Sequence, residues 1–225
     1  MRHISIIVAL LGILCLISCS DPTGSGNVEP ETVFTDTFTG EDGSFPSQYT
    51  WTGDPRGNAE FQIYNNQFTH VDGSHVHYFR NEGIQGSGVY EFDALDSYWG
   101  FAWRIQDSNP DSGNCMRLYH RSIGTGWGYV ITTFQWSTIS GYQDGQYMWH
   151  NGSHITSDTV LTSQLTGIHH IKIEDQDGQV QVFADGDMIF DIQFGYDFNG
   201  MIGLGSDSGS GSMTPAFDNV SFSTL

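Results

Sequence analysis

The clearest alternation of apolar and polar positions in this 225-residue chain lies near its C-terminus. In Ile168-His169-His170-Ile171-Lys172-Ile173-Glu174 isoleucines alternate with polar residues, and Asp177-Gly178 supplies a two-residue hairpin signal. Val180, Val182 and Ala184 continue the period, Asp185-Gly186 marks the next turn, and Met188, Phe190, Ile192 and Phe194 resume it. This arithmetic predicts three consecutive antiparallel strands. Ala59–Tyr64 and Gln67–Val71 flank Asn65-Asn66, another hairpin signal. Further strands are predicted at His75–Arg80, Gly88–Leu95, Tyr98–Gln106, Met116–His120, Gly126–Trp136, Met201–Leu204 and Ala216–Phe222. No segment carries a sustained helical period. Short strands with turn signals about every 8–12 residues predict an all-β fold, a jelly-roll β-sandwich of two antiparallel sheets.

The N-terminus follows a different pattern. Behind Arg2 and His3, residues 4–17 form an almost unbroken apolar run. Spanning a bilayer takes ~20 residues, so this run has the length of a signal-peptide core instead. It ends in Leu16-Ile17-Ser18-Cys19, which resembles the lipobox of bacterial lipoproteins. That resemblance implies cleavage after residue 18 and a diacylglyceryl group on Cys19. Ser20, where an inner-membrane retention signal would show Asp, points to the outer membrane or cell surface by the sorting rule of enteric bacteria. Residues 20–31 are rich in Gly, Ser, Pro and acids and read as a flexible tether. The organisation expected is a signal peptide (1–18), a lipidated cysteine with its tether (19–31) and one domain (32–225). Such a domain is large enough to bury roughly 70% of its unfolded surface.

Charge narrows the choice of partners. Beyond residue 18 only six Lys and Arg face 26 Asp and Glu. A surface so acidic repels nucleic acid and anionic lipid heads, so nucleic-acid binding is excluded. With the leader removed and Cys19 lipidated, Cys115 is the one remaining cysteine; no internal disulfide is then available, and it reads as structural or incidental.

Several segments together resemble the concanavalin A-like lectin/glucanase superfamily. Thr35-Asp36-Thr37-Phe38-Thr39-Gly40 with Gly43-Ser44-Phe45-Pro46 is similar to its opening "DxFxG…GxxPxxW", and Gly100-Phe101-Ala102-Trp103-Arg104 to its central "GFxxR" strand. His170–Phe190 resembles its DG-punctuated meander. Ile202-Gly203-Leu204-Gly205 and Ala216-Phe217-Asp218-Asn219-Val220 resemble its closing strands. Relatives include laminin-G-like modules and 3-keto-disaccharide hydrolase-like domains. The resemblance implies the fold; it leaves function open, because this architecture hosts lectins, adhesion modules, glycosidases and lyases.

Four groups of residues are candidates for chemistry. Arg104, Arg117 and Arg121 fall within eighteen positions beside Trp99, Trp103 and Tyr119. Arginine next to aromatics suits carbohydrate: ring faces stack on sugar C–H surfaces while guanidinium donates to hydroxyls or uronates. Trp99, Arg104, Arg117 and Tyr119 are therefore the expected glycan-facing set, although Trp103 also fits a core position and each Arg also fits a salt bridge. Tyr142, Tyr147 and Trp149 are expected on a rim.

The second group, Glu91, Asp93 and Asp96, resembles the E-x-D-x-x-E strand of laminarinase-type glycosidases, with Asp96 one methylene shorter than the expected Glu. A retaining pair wants its carboxyls about 5–5.5 Å apart; the same residues also fit any half-exposed strand. The third, His75 and His77, share a strand face, and a polar outer face accounts for them more simply than a metal. The fourth set, Asp36, Gly40, Asp42 and Asp218, is where related domains hold a structural Ca²⁺. Turn-capping Asp side chains are the alternative. The reading favoured is a surface-displayed lipoprotein whose domain binds glycan or adheres without catalysis. A glycoside hydrolase or polysaccharide lyase and a protein-interaction module are the alternatives.

Overall fold

A computed structural model describes residues 31–46, 51–52, 60–72, 77–80, 86–105, 112–137, 152–195, 199–206 and 215–225. The leader, Cys19, residues 20–30 of the tether, His75, Tyr142, Tyr147 and Trp149 lie outside the described residues. Among the described residues there are fifteen strands and no helix. In chain order they are β1 (Thr32–Asp36), β2 (Trp51–Thr52), β3 (Glu60–Tyr64), β4 (Gln67–Asp72) and β5 (His77–Arg80). Then come β6 (Gly88–Leu95), β7 (Trp99–Ile105), β8 (Ser112–Ile123), β9 (Gly126–Ser137) and β10 (Gly152–Thr162). The chain closes with β11 (Ile168–Gln176), β12 (Gln179–Ala184), β13 (Asp187–Gln193), β14 (Met201–Ser206) and β15 (Ala216–Ser223).

The strands form two antiparallel sheets, as the alternation predicts. Sheet I runs β13-β12-β11-β6-β15-β4-β3, with β1 also paired to β15; sheet II runs β10-β9-β8-β7-β14-β5-β2. β1, the first described strand, pairs with the last, β15, with Phe34 opposite Phe222 and Asp36 opposite Val220.

Period-two patterning decides what lies between the sheets. On β6 Tyr90, Phe92 and Ala94 are buried while Glu91, Asp93 and Leu95 are only partly so. They meet Trp99, Phe101 and Trp103 of β7: the Phe92 and Phe101 rings stack at 4.6 Å, and Trp99 stands edge-on to Phe92 at 5.4 Å. Met116, Leu118, Tyr129, Ile131, Ile202 and Leu204 extend this layer from sheet II, facing Ile171, Ile173, Val180, Val182, Phe217 and Phe222 of sheet I. Each large apolar side chain buried in this way contributes ~1.5–3 kcal/mol.

The three predicted turns adopt the geometry their residues favour. Asn65-Asn66, Asp177-Gly178 and Asp185-Gly186 all have positive φ at both central positions, which matches the right-handed twist of a hairpin. One detail of the meander departs from the pattern. A bulge between Val182 and Phe183 places Phe183 opposite Met188, and Met188 is 56% exposed instead of sharing the buried face of Phe190.

Candidate functional site

Strand β7 separates the four expected glycan-facing residues. Alternation places Trp99, Phe101 and Trp103 inward, so Gly100, Ala102 and Arg104 should point outward. The first two follow that rule and Arg104 does not. The register between β7 and β14 slips between the Met201–Ile105 and Gly203–Ala102 pairs, and Arg104 takes φ 52°, in the left-handed region. This bulge turns two successive side chains, Trp103 and Arg104, toward the same acceptor. Trp103 Nε1 donates to Asp175 Oδ2 at 2.9 Å; Arg104 donates from Nε to Oδ2 at 2.7 Å and from Nη2 to Oδ1 at 2.8 Å. Arg104 Nη2 also reaches Ser87 Oγ at 3.2 Å. Gly86 fits the same knot: a Cβ there would lie 2.2 Å from Arg104 Nη1. The expectation that Trp99 and Arg104 line an outer surface is therefore corrected. Both are fully buried between the sheets, Trp99 as core and Arg104 as an inter-sheet clasp.

Arg117 and Tyr119 are brought together, and Arg121 joins them. On β8 Met116 and Leu118 belong to the core, so the alternate residues Cys115, Arg117, Tyr119 and Arg121 occupy the opposite, outer face of sheet II. The Arg117 Cζ stands 5.6 Å from the centroid of the Tyr119 ring and the Arg121 Cζ 4.9 Å, both within cation–π range. Register aligns Arg117 with Ala102 on one side and Thr132 on the other, and Tyr119 with Gly100 and Val130. On β14 Gly203 is opposite Ala102 and Gly205 opposite Gly100. The floor beside the arginines thus carries at most one methyl group per residue across two strands. Although this face is turned from the core, Arg117 and Tyr119 are each only 3% exposed, so the face is enclosed. Cys115 is buried too, and burial pushes its thiol up to about 12.

The acidic set does not form one site. Glu91 and Asp93 share the outer face of sheet I, where His170 lies between them: its Nδ1 is 2.8 Å from Asp93 Oδ1 and its Nε2 3.7 Å from Glu91 Oε1. Asp93 Oδ2 also accepts from Asn219 Nδ2 at 2.6 Å. Asp96 has left the strand; its φ is 60° and its carboxylate accepts the Gly167 N–H at 2.8 Å. The third carboxylate of the expected triad is thus a loop cap, because the strand ends before its alternation reaches that position. His170 had no place in the sequence reading of this group; its pairing to Asp93 in the β6–β11 register is a long-range fact that spacing does not carry.

The calcium set is divided as well. Asp36 is buried and accepts the Phe38 N–H at 2.9 Å, whereas Asp42 accepts the Asn65 N–H at 2.9 Å on the β3–β4 turn. Gly40 packs against the Ile63 side chain, whose Cδ1 would lie 2.7 Å from a Cβ added there. Asp218 lies near enough to Asp36 and Asp93 to feel both: burial first, then these two charges, hold its carboxyl above the usual range, against the Asn219 N–H that it accepts. Among the described residues no three His, Cys, Asp or Glu side chains are placed to hold one metal ion. Asp36 and Asp42 each accept a backbone N–H at a turn, while Asp36 and Asp218 lie close enough for their charges to interact.

Comparison with solved structures places this architecture. An endo-β-galactosidase from Clostridium perfringens that releases GlcNAcα1-4Gal superposes with a TM-score of 0.56 at 13% identity, over 86% of this chain and 62% of that one. Porphyranase B from Zobellia galactanivorans gives 0.52 at 13%, over 87% and 93%. The fold is a concanavalin A-like jelly roll. A carbohydrate-binding module, CBM66 from Bacillus subtilis, is a further neighbour of this jelly roll, at 16% identity and a TM-score of 0.45, over 84% and 95%. At these identities the likeness speaks for the fold and for no residue of a site. No family model and no curated protein matches the chain.

Proposed function

We propose that this jelly roll is a non-catalytic glycan-binding or adhesive module, and that it meets its ligand at Arg117, Tyr119 and Arg121. One observation carries the reading: in a chain with seven Lys and Arg in total, two arginines gather on a single tyrosine ring. Guanidinium groups donate hydrogen bonds in a fixed fork, and a desolvated surrounding strengthens each of them. The neighbouring strands β7 and β14 present only Gly100, Ala102, Gly203 and Gly205 beside them, and Arg121 is the partly exposed member of the three. The structural neighbours that act on carbohydrate, the endo-β-galactosidase and the porphyranase, agree with this reading. The lipobox-like Leu16–Cys19 segment adds a place for it: anchored in a bilayer through Cys19, with residues 20–31 as tether, on the bacterial cell surface.

The second reading, a glycoside hydrolase or lyase, has the enzymes among the neighbours in its favour. Its expected residues are against it, because Asp96 caps a loop while Glu91 and Asp93 are bridged by His170. A glycan array with the wild-type chain and Arg121→Gln tests the first reading, and reducing-sugar release from β-glucans tests the second. Binding lost in the variant, without sugar release, supports the binding module. Release abolished by Glu91→Gln would replace it with an enzyme.

A further inference from the structure

We infer that His170 and Glu91 bind a divalent transition-metal ion, zinc or one of similar chemistry, on the outer face of sheet I. The inference stands apart from the glycan-binding reading and uses none of its residues. It starts from the register between β6 and β11. His170 lies opposite Asp93 and Lys172 opposite Glu91, so all four side chains share the outer face. Lys172 turns away from its register partner: its Nζ is paired with Glu174 and lies 5.7 Å from the centroid of the Phe183 ring. Glu91 instead meets His170, its diagonal neighbour, with 3.7 Å between Oε1 and Nε2.

The proton on that imidazole decides how the two groups meet. A neutral ring carries one N–H, and the hydrogen bond it makes fixes which nitrogen holds it. Asp93 claims the proton at Nδ1, which lies 2.8 Å from its Oδ1. Nε2 therefore turns a lone pair toward a carboxylate oxygen, and 3.7 Å is too long for a hydrogen bond between them. A cation between two such donors replaces their repulsion with coordination. Zinc bonds imidazole nitrogen and carboxylate oxygen at about 2.0–2.2 Å, which sets the donors about 3.4 Å apart at the tetrahedral angle. The Glu91 side chain is partly exposed and needs to move by only a few tenths of an ångström.

The ring is held in the manner of a metal-binding histidine, whose second nitrogen donates to a carboxylate that orients it and raises its basicity. Asp93 is that carboxylate, and it is fixed in turn: its Oδ2 accepts from Asn219 Nδ2 at 2.6 Å. Asn219 sits in the bulge between Asp218 and Ser221 with φ 50°. With both oxygens engaged, Asp93 positions the ring and does not itself take the ion. One imidazole and one carboxylate suit zinc, nickel or copper, whereas calcium takes about 6–8 oxygens. Water fills the remaining positions, and a net charge of −19 draws divalent cations to the surface.

Calorimetric titration of the full chain with zinc chloride, in a buffer that does not chelate, tests this together with nitrogen-15 spectra of the histidine rings. The expected result is a zinc-dependent shift of His170 Nε2 while Nδ1 keeps its proton. His170→Gln and Glu91→Gln should each weaken binding about tenfold or more. Asp93→Ala should weaken it about 10–100-fold, and Asp93→Asn, which keeps an acceptor for the Nδ1 proton, should restore part of the loss. His170 and Glu91 are both exposed, so their variants leave the core intact. Zinc affinity that His170→Gln leaves unchanged puts the ion elsewhere on the chain and overturns the site. Binding lost in His170→Gln but kept in Glu91→Gln reduces the site to a lone histidine and overturns the paired donors. Calcium that displaces zinc at equal concentration overturns the class of ion.

Discussion

Arg104 and Asp175 clasp the two sheets across the core, guanidinium edge to carboxylate, with both side chains fully buried. The carboxylate is saturated: besides the two arginine bonds it takes Trp103 Nε1 at 2.9 Å and the Gly178 N–H at 3.1 Å. Desolvating two charges costs several kcal/mol, and only such full pairing offsets it. Removing one partner leaves the other charged and buried. Asp175→Asn is expected to lower stability by about 3–5 kcal/mol, read as a drop in the urea midpoint at unchanged slope. Arg104→Met combined with Asp175→Leu should cost less than either single change, because no charge is then left alone. A single change that moved the midpoint by a few tenths of a molar only would mean that water reaches the pair.

This pair also marks the limit of what periodicity can tell. The meander β11–β12–β13 was legible because alternation, Asp-Gly turns and burial all agree there, from Ile171 to Phe190. Arg104 was misplaced for one reason: a bulge adds one residue, and one residue reverses every following side chain. β10 was missed for another. It lies at the edge of sheet II, and of its later residues only Val160 packs against the core, so Ser157-Asp158-Thr159 carries no apolar period. Pairings such as Asp93 with His170, 77 residues apart, have no local signal at all. Of the candidate site, Arg117 and Tyr119 were found from the rarity of arginine, and that argument is blind to bulges.

Cys115 offers a readout of opening at the outer face of sheet II. Its thiol is buried, and burial raises its pKa to about 12, so the reactive thiolate is scarce at neutral pH. Alkylation followed by peptide mapping should leave the Cys115 peptide unmodified in the native protein and modify it fully in urea. Modification on the time scale of a free thiol in native buffer would show that this face is open to solvent, and the enclosure of Arg117 and Tyr119 would have to be abandoned.

The division of Asp36, Gly40, Asp42 and Asp218 has a thermal consequence. Without a shared ion, EDTA and excess calcium should give the same melting temperature within error. An ion bound at a hundred times its dissociation constant would add about 2.7 kcal/mol, which for a domain of this size is a rise of several degrees. A melting point that falls in EDTA and returns with calcium, but not with magnesium, would restore the calcium reading.

His120 makes stability depend on mild acidity. The ring is fully buried at the end of β8, parallel to Trp127 at 5.8 Å and edge-on to Tyr129 at 4.9 Å, with Nε2 3.0 Å from Thr162 Oγ1. Burial lowers its pKa to about 4; the Ser163 backbone opposes the shift and the nearby His169 adds to it. An unfolded histidine titrates near ~6.5. Between those two values the unfolded chain holds a proton that the folded chain refuses, so stability is complete above the unfolded pKa and falls as pH drops from about 6.5 toward 4. Asp218 acts in the opposite sense, since its raised pKa lets the folded state take a proton before the unfolded one does. The contribution of His120 is therefore read by difference. His120→Phe keeps the ring packing and removes the titration, so the variant should lose fewer degrees of melting temperature than the wild type between pH 7 and pH 4.5. Parallel pH profiles for the two proteins would mean that the imidazole is hydrated and charged in the fold, which its contact with Trp127 and Tyr129 does not permit.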